Sequence, residues 1–266
     1  MNNISFQKSN LQELELLLAC YLQGLGGVVD DYWEGHILSA DIYAIRDSEN
    51  LAGCFALHDK QRITMFYVRP EYLHMAQGIF KRVLIEHRVK TAFAATCDAP
   101  FLSLCLDCHK KVKLQAYFFN GEQTREVRPP EYGRECLSEI APEEIAGINR
   151  KTNNFFGFMT RESYVNSGYK IYRLAENGVD LGFGLFAPGK LLPRYYSCGM
   201  VTVPEHRGKG VGRSLQFHIA NIIRESGGVP VSGCGYGNTL SKKTIESSGR
   251  CSTVRLLNIH FKRRTP

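Results

Sequence analysis

The stretch VTVPEHRGKGVGRSL, residues 201–215, runs from a β-branched segment to a proline and then to three glycines that alternate with basic and small residues. This order predicts a strand, a tight loop and the start of a helix. Glycine allows backbone conformations and close approaches that a Cβ forbids. Successive N–H groups in such a loop can point at one anion, which the helix dipole also favours. The stretch is therefore predicted to bind a phosphate group, with a plain glycine-rich turn as the alternative.

The spacing of the glycines excludes two common phosphate motifs. A P-loop needs Lys-Ser or Lys-Thr directly after its second glycine, which residues 208–214 do not supply. A dinucleotide fingerprint needs G-x-G-x-x-G, whereas the glycines here are spaced G-x-G-x-G. The segment from Arg207 to Gly212 instead fits [RQ]-x-x-G-x-[GA], and Lys209 and Arg213 add long-range attraction for an anion.

A second polar motif follows in the sequence. Residues 229–236 predict a strand, and residues 240–247 predict a helix. Asn238 is placed to cap that helix, and Ser241 lies one turn inside it. Both are expected at the edge of the sheet, with a plain N-cap and a surface serine as the alternative interpretation.

The two motifs together resemble those of the GNAT N-acetyltransferase superfamily. Residues 207–212 match the family's pyrophosphate loop position by position. Asn238, Ser241, Glu246 and Gly249 match its second motif, N-x-x-[AS]…Y-E-x-x-G. The resemblance implies a bent mixed sheet in which two strands splay apart and acetyl-coenzyme A lies in the gap.

The same resemblance implies a set of residues that bind the co-substrate. The strand Met200–Val203 is expected to splay from residues 231–236, with the pantetheine arm paired to backbone groups of Val201 and Val203. The implied binding residues are Val201, Thr202, Val203, Arg207, Gly208, Lys209, Gly210, Val211, Gly212, Arg213, Asn238 and Ser241.

The catalytic residues are not evident in the sequence. The family usually places a tyrosine, as general acid, seven residues after the asparagine, and here that position is Ile245. Tyr236 and Cys198 are nearby candidates, each of which also fits a packed strand residue. The strand of residues 195–203 lacks the glutamate that many members use to deprotonate the amine.

The two halves of the chain repeat the same order of elements, which predicts an α/β (α+β) fold of two tandem GNAT-like domains, residues 1–125 and 126–266. Residues 128–133, with two adjacent prolines, form the predicted connector. In the first half, Leu73, His74 and Met75 replace the arginine and glycines of the loop. That half is therefore expected to be a degenerate domain without a bound co-substrate.

Composition narrows the remaining classes of function and the cell compartment. The 266 residues carry a net charge of +7, but the tight basic clusters are confined to residues 109–113 and 262–264, so nucleic-acid binding is a lesser alternative. No apolar run approaches the roughly 20 residues that span a bilayer. Nine cysteines without framework spacing favour a reducing cytoplasm. The C-x-x-C-H pattern of residues 105–109 is interpreted as helix packing, and no metal site is predicted.

The sequence thus predicts an N-acetyltransferase that transfers acetyl from acetyl-coenzyme A to a primary amine by direct attack. The alternative is a non-catalytic sensor that binds acetyl-coenzyme A. The acceptor is expected to be a small-molecule amine or a peptide amine, and a small polyamine, an amino acid, an aminoglycoside and a protein N-terminus are all compatible. The net positive charge argues mildly against a polycationic acceptor. Because an internal duplication can mimic a dimer within one chain, a monomer is favoured and a dimer stays open.

Overall fold

The computed structural model describes residues 3–124 and 126–262 of the chain. Arg125, the last residue of the first predicted domain, and residues 263 and 264 of the predicted basic cluster lie outside them. The strands are β1 Ile4–Ser9, β2 Asp41–Asp47, β3 Asn50–His58, β4 Arg62–Val68, β5 Thr91–Ala95, β6 His109–Phe119, β7 Gly121–Glu122, β8 Leu137–Glu139, β9 Lys170–Glu176, β10 Val179–Pro188, β11 Tyr195–Thr202, β12 Val229–Gly235, β13 Arg250–Cys251 and β14 Val254–Phe261.

Within residues 3–124 and 126–262, eight α-helices connect these strands. They are α1 Glu15–Gly24, α2 Asp31–Leu38, α3 Ala76–Glu86, α4 Ala99–Cys108, α5 Ile145–Lys151, α6 Arg161–Asn166, α7 Val211–Glu225 and α8 Thr239–Ser247, and short 3-10 helices include Pro70–Met75, Pro142–Glu144 and Pro204–His206. In α7, Leu215, Ile219 and Ile223 recur at helical spacing and are fully buried. Gly227, at φ +81°, follows the end of α7, as its position in the sequence predicts.

The chain divides into two compact units, each of which contains both parallel and antiparallel strand pairs. The first contains residues 3–116 and 254–262 and orders its strands β1-β2-β3-β4-β5-β14. Only β4 and β5 are parallel in that set; the other pairs are antiparallel. Its core contains Phe55, Phe66, Phe80 and Phe101, with α3 and α4 packed on the sheet.

The second unit contains residues 117–124 and 126–253, with strand order β12-β11-β10-β9-β8. Strands β11 and β12 are parallel, and the other pairs are antiparallel. Asn177 and Gly178, both at positive φ, form the turn between β9 and β10, as an Asn-Gly pair in a sequence favours. The predicted mixed α/β architecture is therefore confirmed.

The division into residues 1–125 and 126–266 stays a prediction, and the compact units differ from it at the C-terminus. β14 pairs with β5, from Leu256 opposite Ala95 to His260 opposite Thr91, so the last strand belongs to the first unit. The sequence predicted one strand over residues 251–261, whereas the structure has β13 and β14 with a break at Ser252 and Thr253.

Two features that bear on partners and ligands follow from the helices. Among the described residues, no helix combines the length and the apolar character that crossing a membrane requires. Cys105 and Cys108 are buried in the core on α4, which confirms their interpretation as packing residues. Burial raises the pKa of the Cys105 thiol well above its ordinary value. Residues 3–124 and 126–262 contain no group of three His, Cys, Asp or Glu residues arranged to hold a metal ion.

Candidate active site: a cleft between two splayed strands

Strands β11 and β12 pair over only part of their lengths. Their parallel ladder runs from Tyr195 opposite Val229 to Cys198 opposite Ser232 and ends there. The next residues, Gly199 and Gly233, begin a gap between the strands. The predicted splay of this strand pair is therefore confirmed, and it starts at Gly199.

The glycine loop opens onto the same gap. Gly208 and Gly210 have φ values of +77° and +80°, in the left-handed region that favours glycine. Gly210 is the N-cap of α7, so the loop passes directly into the N-terminus of a 15-residue helix. A Cβ on Gly208 would meet no atom within 4 Å. The loop thus leaves open space beside Gly208, two residues before the N-cap of a helix, and the dipole of that helix favours an anion.

Gap and loop form one cleft of about 920 Å3 in the second unit. Ten of the twelve residues predicted to bind the co-substrate line it; Val203 and Lys209, both described, lie outside its lining. The ten are Val201, Thr202, Arg207, Gly208, Gly210, Val211, Gly212, Arg213, Asn238 and Ser241. That these residues bind a ligand stays a prediction.

The prediction that Val203 offers its backbone to the pantetheine arm is wrong for its N–H group. That N–H donates to the carbonyl of Leu181, 3.0 Å away, on the β10 side of the strand. Backbone groups alternate in direction along a strand, so Val201 also faces β10, with which it is paired through Phe183. The edge of β11 that faces the gap is formed by Met200 and Thr202.

At the other wall of the cleft, α8 begins as predicted. The side-chain oxygen of Asn238 accepts a hydrogen bond from the N–H of Ser241, at 3.1 Å. Asn238 is therefore the N-cap, and Ser241 lies at the third position of the helix. Lys243 and Thr244 on the same helix also line the cleft.

A segment that sequence reasoning treated only as a connector lies against the loop. We call residues 128–132 the strap. The Arg213 Nε donates to Glu131 Oε2 at 2.9 Å, and its other nitrogens donate to the carbonyls of Arg128 and Pro129. The strap backbone is also held by Ser214 and His218 of α7, through Tyr132. Arg213 thus anchors the strap, a role that its position beside the glycines did not indicate.

The charge of the cleft is positive. Among the described lining residues, Arg128, Arg207, Arg213 and Lys243 are cationic and Glu131 is acidic, which gives four positive charges against one. Arg207 is exposed, whereas the Arg213 side chain is only 11% exposed and is paired with Glu131. The cleft therefore suits a polyanionic ligand.

The structure separates the two catalytic candidates. Cys198 lines the cleft, where its buried thiol donates to the Val231 carbonyl at 3.2 Å and lies 3.1 Å from Ser232 Oγ. Tyr236 lies outside the described lining and stacks on Tyr117, with 4.8 Å between ring centroids. Ile245 lines the cleft and is 1% exposed.

Ile245 packs in a cluster that contains a thiol. Its neighbours in that cluster include Tyr117, Phe119 and the partly buried Cys234. Cys234 also lines the cleft. The space around the usual tyrosine position is therefore mainly apolar, and the nearby groups that can carry a proton are the Tyr117 hydroxyl and the Cys234 thiol.

The corresponding region of the first unit is filled. β4 and β5 also pair briefly, over Arg62–Thr91 and Ile63–Ala92. Phe66, Phe80 and Phe101 then pack together, with ring centroids 5.0 to 6.1 Å apart. Phe101 is the third residue of α4, the position that Ser241 has in α8, and it is fully buried. Three rings thus lie between β4, α3 and α4.

Comparison with known families and structures agrees with this architecture. Residues 10–122 match the family described as "Acetyltransferase (GNAT) domain". The matched segment, which is less than half of the chain, is thus similar to a GNAT acetyltransferase domain. Members of this family transfer acyl groups from acetyl-coenzyme A. The matched GNAT segment is in the first half, whereas the glycine loop and the cleft are in the second. A search of curated proteins found no match.

Solved GNAT structures resemble the whole chain at low sequence identity. An acetyltransferase of the GNAT family from Colwellia psychrerythraea has a TM-score of 0.85 at 19% identity, covering 97% of this chain and 99% of the other. A GCN5-related N-acetyltransferase from Sphaerobacter thermophilus has a TM-score of 0.61 at 13% identity, covering 100% and 98%. A tandem GNAT protein from the clavulanic acid biosynthesis pathway has a TM-score of 0.60 at 14% identity, covering 99% of each chain. These likenesses show the fold.

Proposed function

We propose that the second unit binds acetyl-coenzyme A in the cleft and transfers its acetyl group to a primary amine. The observation that carries this proposal is the coincidence of two features: the ladder of β11 and β12 ends at Cys198 and Ser232, and the glycine loop faces the gap that results. A phosphate-binding loop and a free strand edge are what a pyrophosphate followed by an amide-containing arm requires.

The loop residues fit the pyrophosphate on steric and electrostatic grounds. A Cβ on Gly208 would enter open space, which a phosphate group can use instead. The N-terminus of α7 and the exposed Arg207 supply positive potential. Met200 and Thr202 form the free edge of β11. We therefore assign the backbone pairing with the pantetheine amides to these two residues in place of Val201 and Val203.

The reaction is a direct transfer. The neutral amine nitrogen attacks the thioester carbon, the new C–N bond forms, the C–S bond breaks, and the nitrogen loses a proton as the thiolate leaves. Holding both reactants together is the main contribution of the protein. No histidine is found among the described residues of the cleft lining, which favours direct transfer over an acyl-cysteine intermediate.

A sensor without catalysis is the second candidate, and Ile245 is the observation that favours it. A buried aliphatic side chain at this position cannot protonate the leaving thiolate. Since coenzyme A thiolate is a good leaving group compared with an alkoxide, its protonation from Cys234 or from water suffices for slow turnover. Catalysis is therefore retained as the main proposal.

The experiment is product detection by mass spectrometry, with acetyl-coenzyme A and a panel of primary amines. Thiol-release reagents are less suitable because Cys20 is exposed and free. We expect an N-acetyl product from at least one amine and a stoichiometry of one acetyl-coenzyme A per chain, because the three phenylalanines fill the first unit. Binding without product from any amine would favour the sensor, and two equivalents bound would contradict the degenerate first unit.

A further inference from the structure

An aromatic loop, residues 152–160 between α5 and α6, borders the cleft. Its sequence is TNNFFGFMT. Phe156 and Met159 are buried, at 0% and 4% exposure, and anchor the loop in the core of the second unit. Phe155 and Phe158 remain 41% and 62% exposed. The loop thus presents two phenylalanine rings to the outside while two other apolar residues hold it in place.

Hydrogen bonds fix the conformation of this loop. Asn149 accepts from the N–H of Asn154 through its carbonyl and from the N–H of Phe156 through its side chain, both at 2.9 Å. Asn153 and Asn154 have φ values of +51° and +60°, a conformation that asparagine tolerates better than most residues. The exposed rings are therefore held in a defined position, which reduces the entropy lost when a ligand packs on them.

One of the two exposed rings, that of Phe155, lies at the cleft. Val201 packs against the buried cluster that contains Phe156, and the Phe155 ring lies 5.0 Å from the Phe156 ring. Phe155 also lines the cleft itself, as Val201 does. The Phe158 ring lies 6.0 Å from Tyr169, which packs on the same cluster. An apolar surface therefore includes Val201 and Phe155 at the cleft, and Phe158 lies farther along the same loop, outside the described lining.

The charges of the cleft limit what kind of amine can use this surface. Glu131 is the single acidic residue among the described lining residues, and its carboxylate is paired with Arg213, 2.7 Å away. A polyamine or an aminoglycoside carries further ammonium groups, which this lining would leave without a partner. An amine with one cationic centre and an apolar body avoids that cost.

We propose that the acceptor is a small arylalkylamine whose ring packs on Phe155, with Phe158 at the outer edge of the same surface. This inference rests on the proposed function, since it names the class of amine that accepts the acetyl group. Phe155 is then a specificity-determining residue: it selects the body of the acceptor and takes no part in proton or acyl transfer.

The test compares acetylation of phenethylamine, ethylamine and spermidine by the full chain. We expect kcat/KM for phenethylamine to exceed that for ethylamine by about tenfold to 100-fold, the range for adding an apolar group to a fitted pocket. Phe155→Ala should remove most of this preference by raising KM for phenethylamine, with a smaller change for ethylamine, which has no ring to pack on it. Phe158→Ala should give a smaller loss. Val165→Ala, which truncates another exposed apolar residue on α6 outside the described lining, is the control and should change neither substrate.

Each contrary result has a distinct meaning. Spermidine turned over better than phenethylamine would overturn the acceptor class and leave the transferase standing. If no amine is acetylated while acetyl-coenzyme A binds, both proposals fail. If Phe155→Ala weakens acetyl-coenzyme A binding and slows all amines equally, the ring contacts the co-substrate, and the assignment of Phe155 to the acceptor is wrong.

Discussion

Gly210 and Gly208 provide a matched pair of substitutions that tests the geometry of the loop. Both have φ near +80° and both line the cleft. An added Cβ at Gly210 would lie 2.2 Å from both Cδ and Oε2 of Glu131, whereas at Gly208 it would meet nothing within 4 Å. Gly210→Ala therefore displaces the Glu131 carboxylate from Arg213, and Gly208→Ala does not.

The magnitudes follow from these contacts. An L-residue in the left-handed region destabilises the folded state by about 1–2 kcal/mol. Replacing glycine also lowers the conformational entropy of the unfolded chain, which offsets about 0.4–1 kcal/mol of that loss. Gly208→Ala should therefore lower the free energy of unfolding by about 1 kcal/mol. Gly210→Ala should lose about 1 kcal/mol more, since the Arg213–Glu131 pair is broken but both groups are partly exposed to water.

Amide hydrogen exchange in α7 is the appropriate assay, because the single tryptophan, Trp33, lies in the first unit and does not report on this helix. We expect exchange in the first turns of α7 to be about fivefold faster in Gly210→Ala than in Gly208→Ala. In a Glu131→Ala background the two substitutions should have equal effects. Equal effects in the wild-type background would refute the contact between the strap and the loop.

Three other predictions concern pH, thiol reactivity and charge. Burial raises the pKa of Asp98 to about 6. Between about pH 4 and 6 this carboxyl is therefore protonated in the folded state and ionised in the unfolded state, so the free energy of unfolding falls as the pH rises through that window. Asp98→Asn, which keeps the helix cap, should remove a slope worth about 3 kcal/mol in urea titrations followed by tryptophan fluorescence; an unchanged slope would contradict this. Iodoacetamide labelling, read by mass spectrometry, should spare Cys54, which is buried and whose pKa is raised to about 12. It should modify Cys234, and saturating acetyl-coenzyme A should protect that thiol. Equal labelling of Cys234 with and without the co-substrate would place the ligand elsewhere. Arg207→Ala should weaken acetyl-coenzyme A binding by about threefold to tenfold at low salt and by less at high salt; a salt-independent loss would indicate a structural role.

Local sequence signals predicted the elements that build the cleft. The Asn177–Gly178 turn, the glycines at 208 and 210, and the periodic apolar residues of α7 each specify their own backbone conformation, and the structure has them where expected. The N-cap of α8 at Asn238 is of the same kind. These features depend on residues within a few positions, which a single sequence contains.

The features that were missed depend on distant partners. The edge of β11 that faces the gap is set by its register with β10, so choosing Met200 and Thr202 over Val201 and Val203 needs that register. Glu131 lies beside Gly210 of the loop and pairs with Arg213, which comes 82 residues later in the chain. Phe155 lies in a loop whose aromatic residues are equally compatible with a fully buried core. The sequence TNNFFGFMT does not show which of its phenylalanines are exposed. The structure shows that Phe155 and Phe158 are.

The most direct test of the central claim is calorimetric titration of acetyl-coenzyme A into wild type, Gly208→Trp and Gly178→Trp. Both glycines have φ of +77° and no atom within 4 Å of an added Cβ, but Gly178 lies in the β9–β10 turn, outside the described lining of the cleft. The account predicts binding to wild type and to Gly178→Trp, with a loss of at least about 100-fold in Gly208→Trp, because the indole takes the space of the pyrophosphate. Equal binding by all three proteins would contradict it.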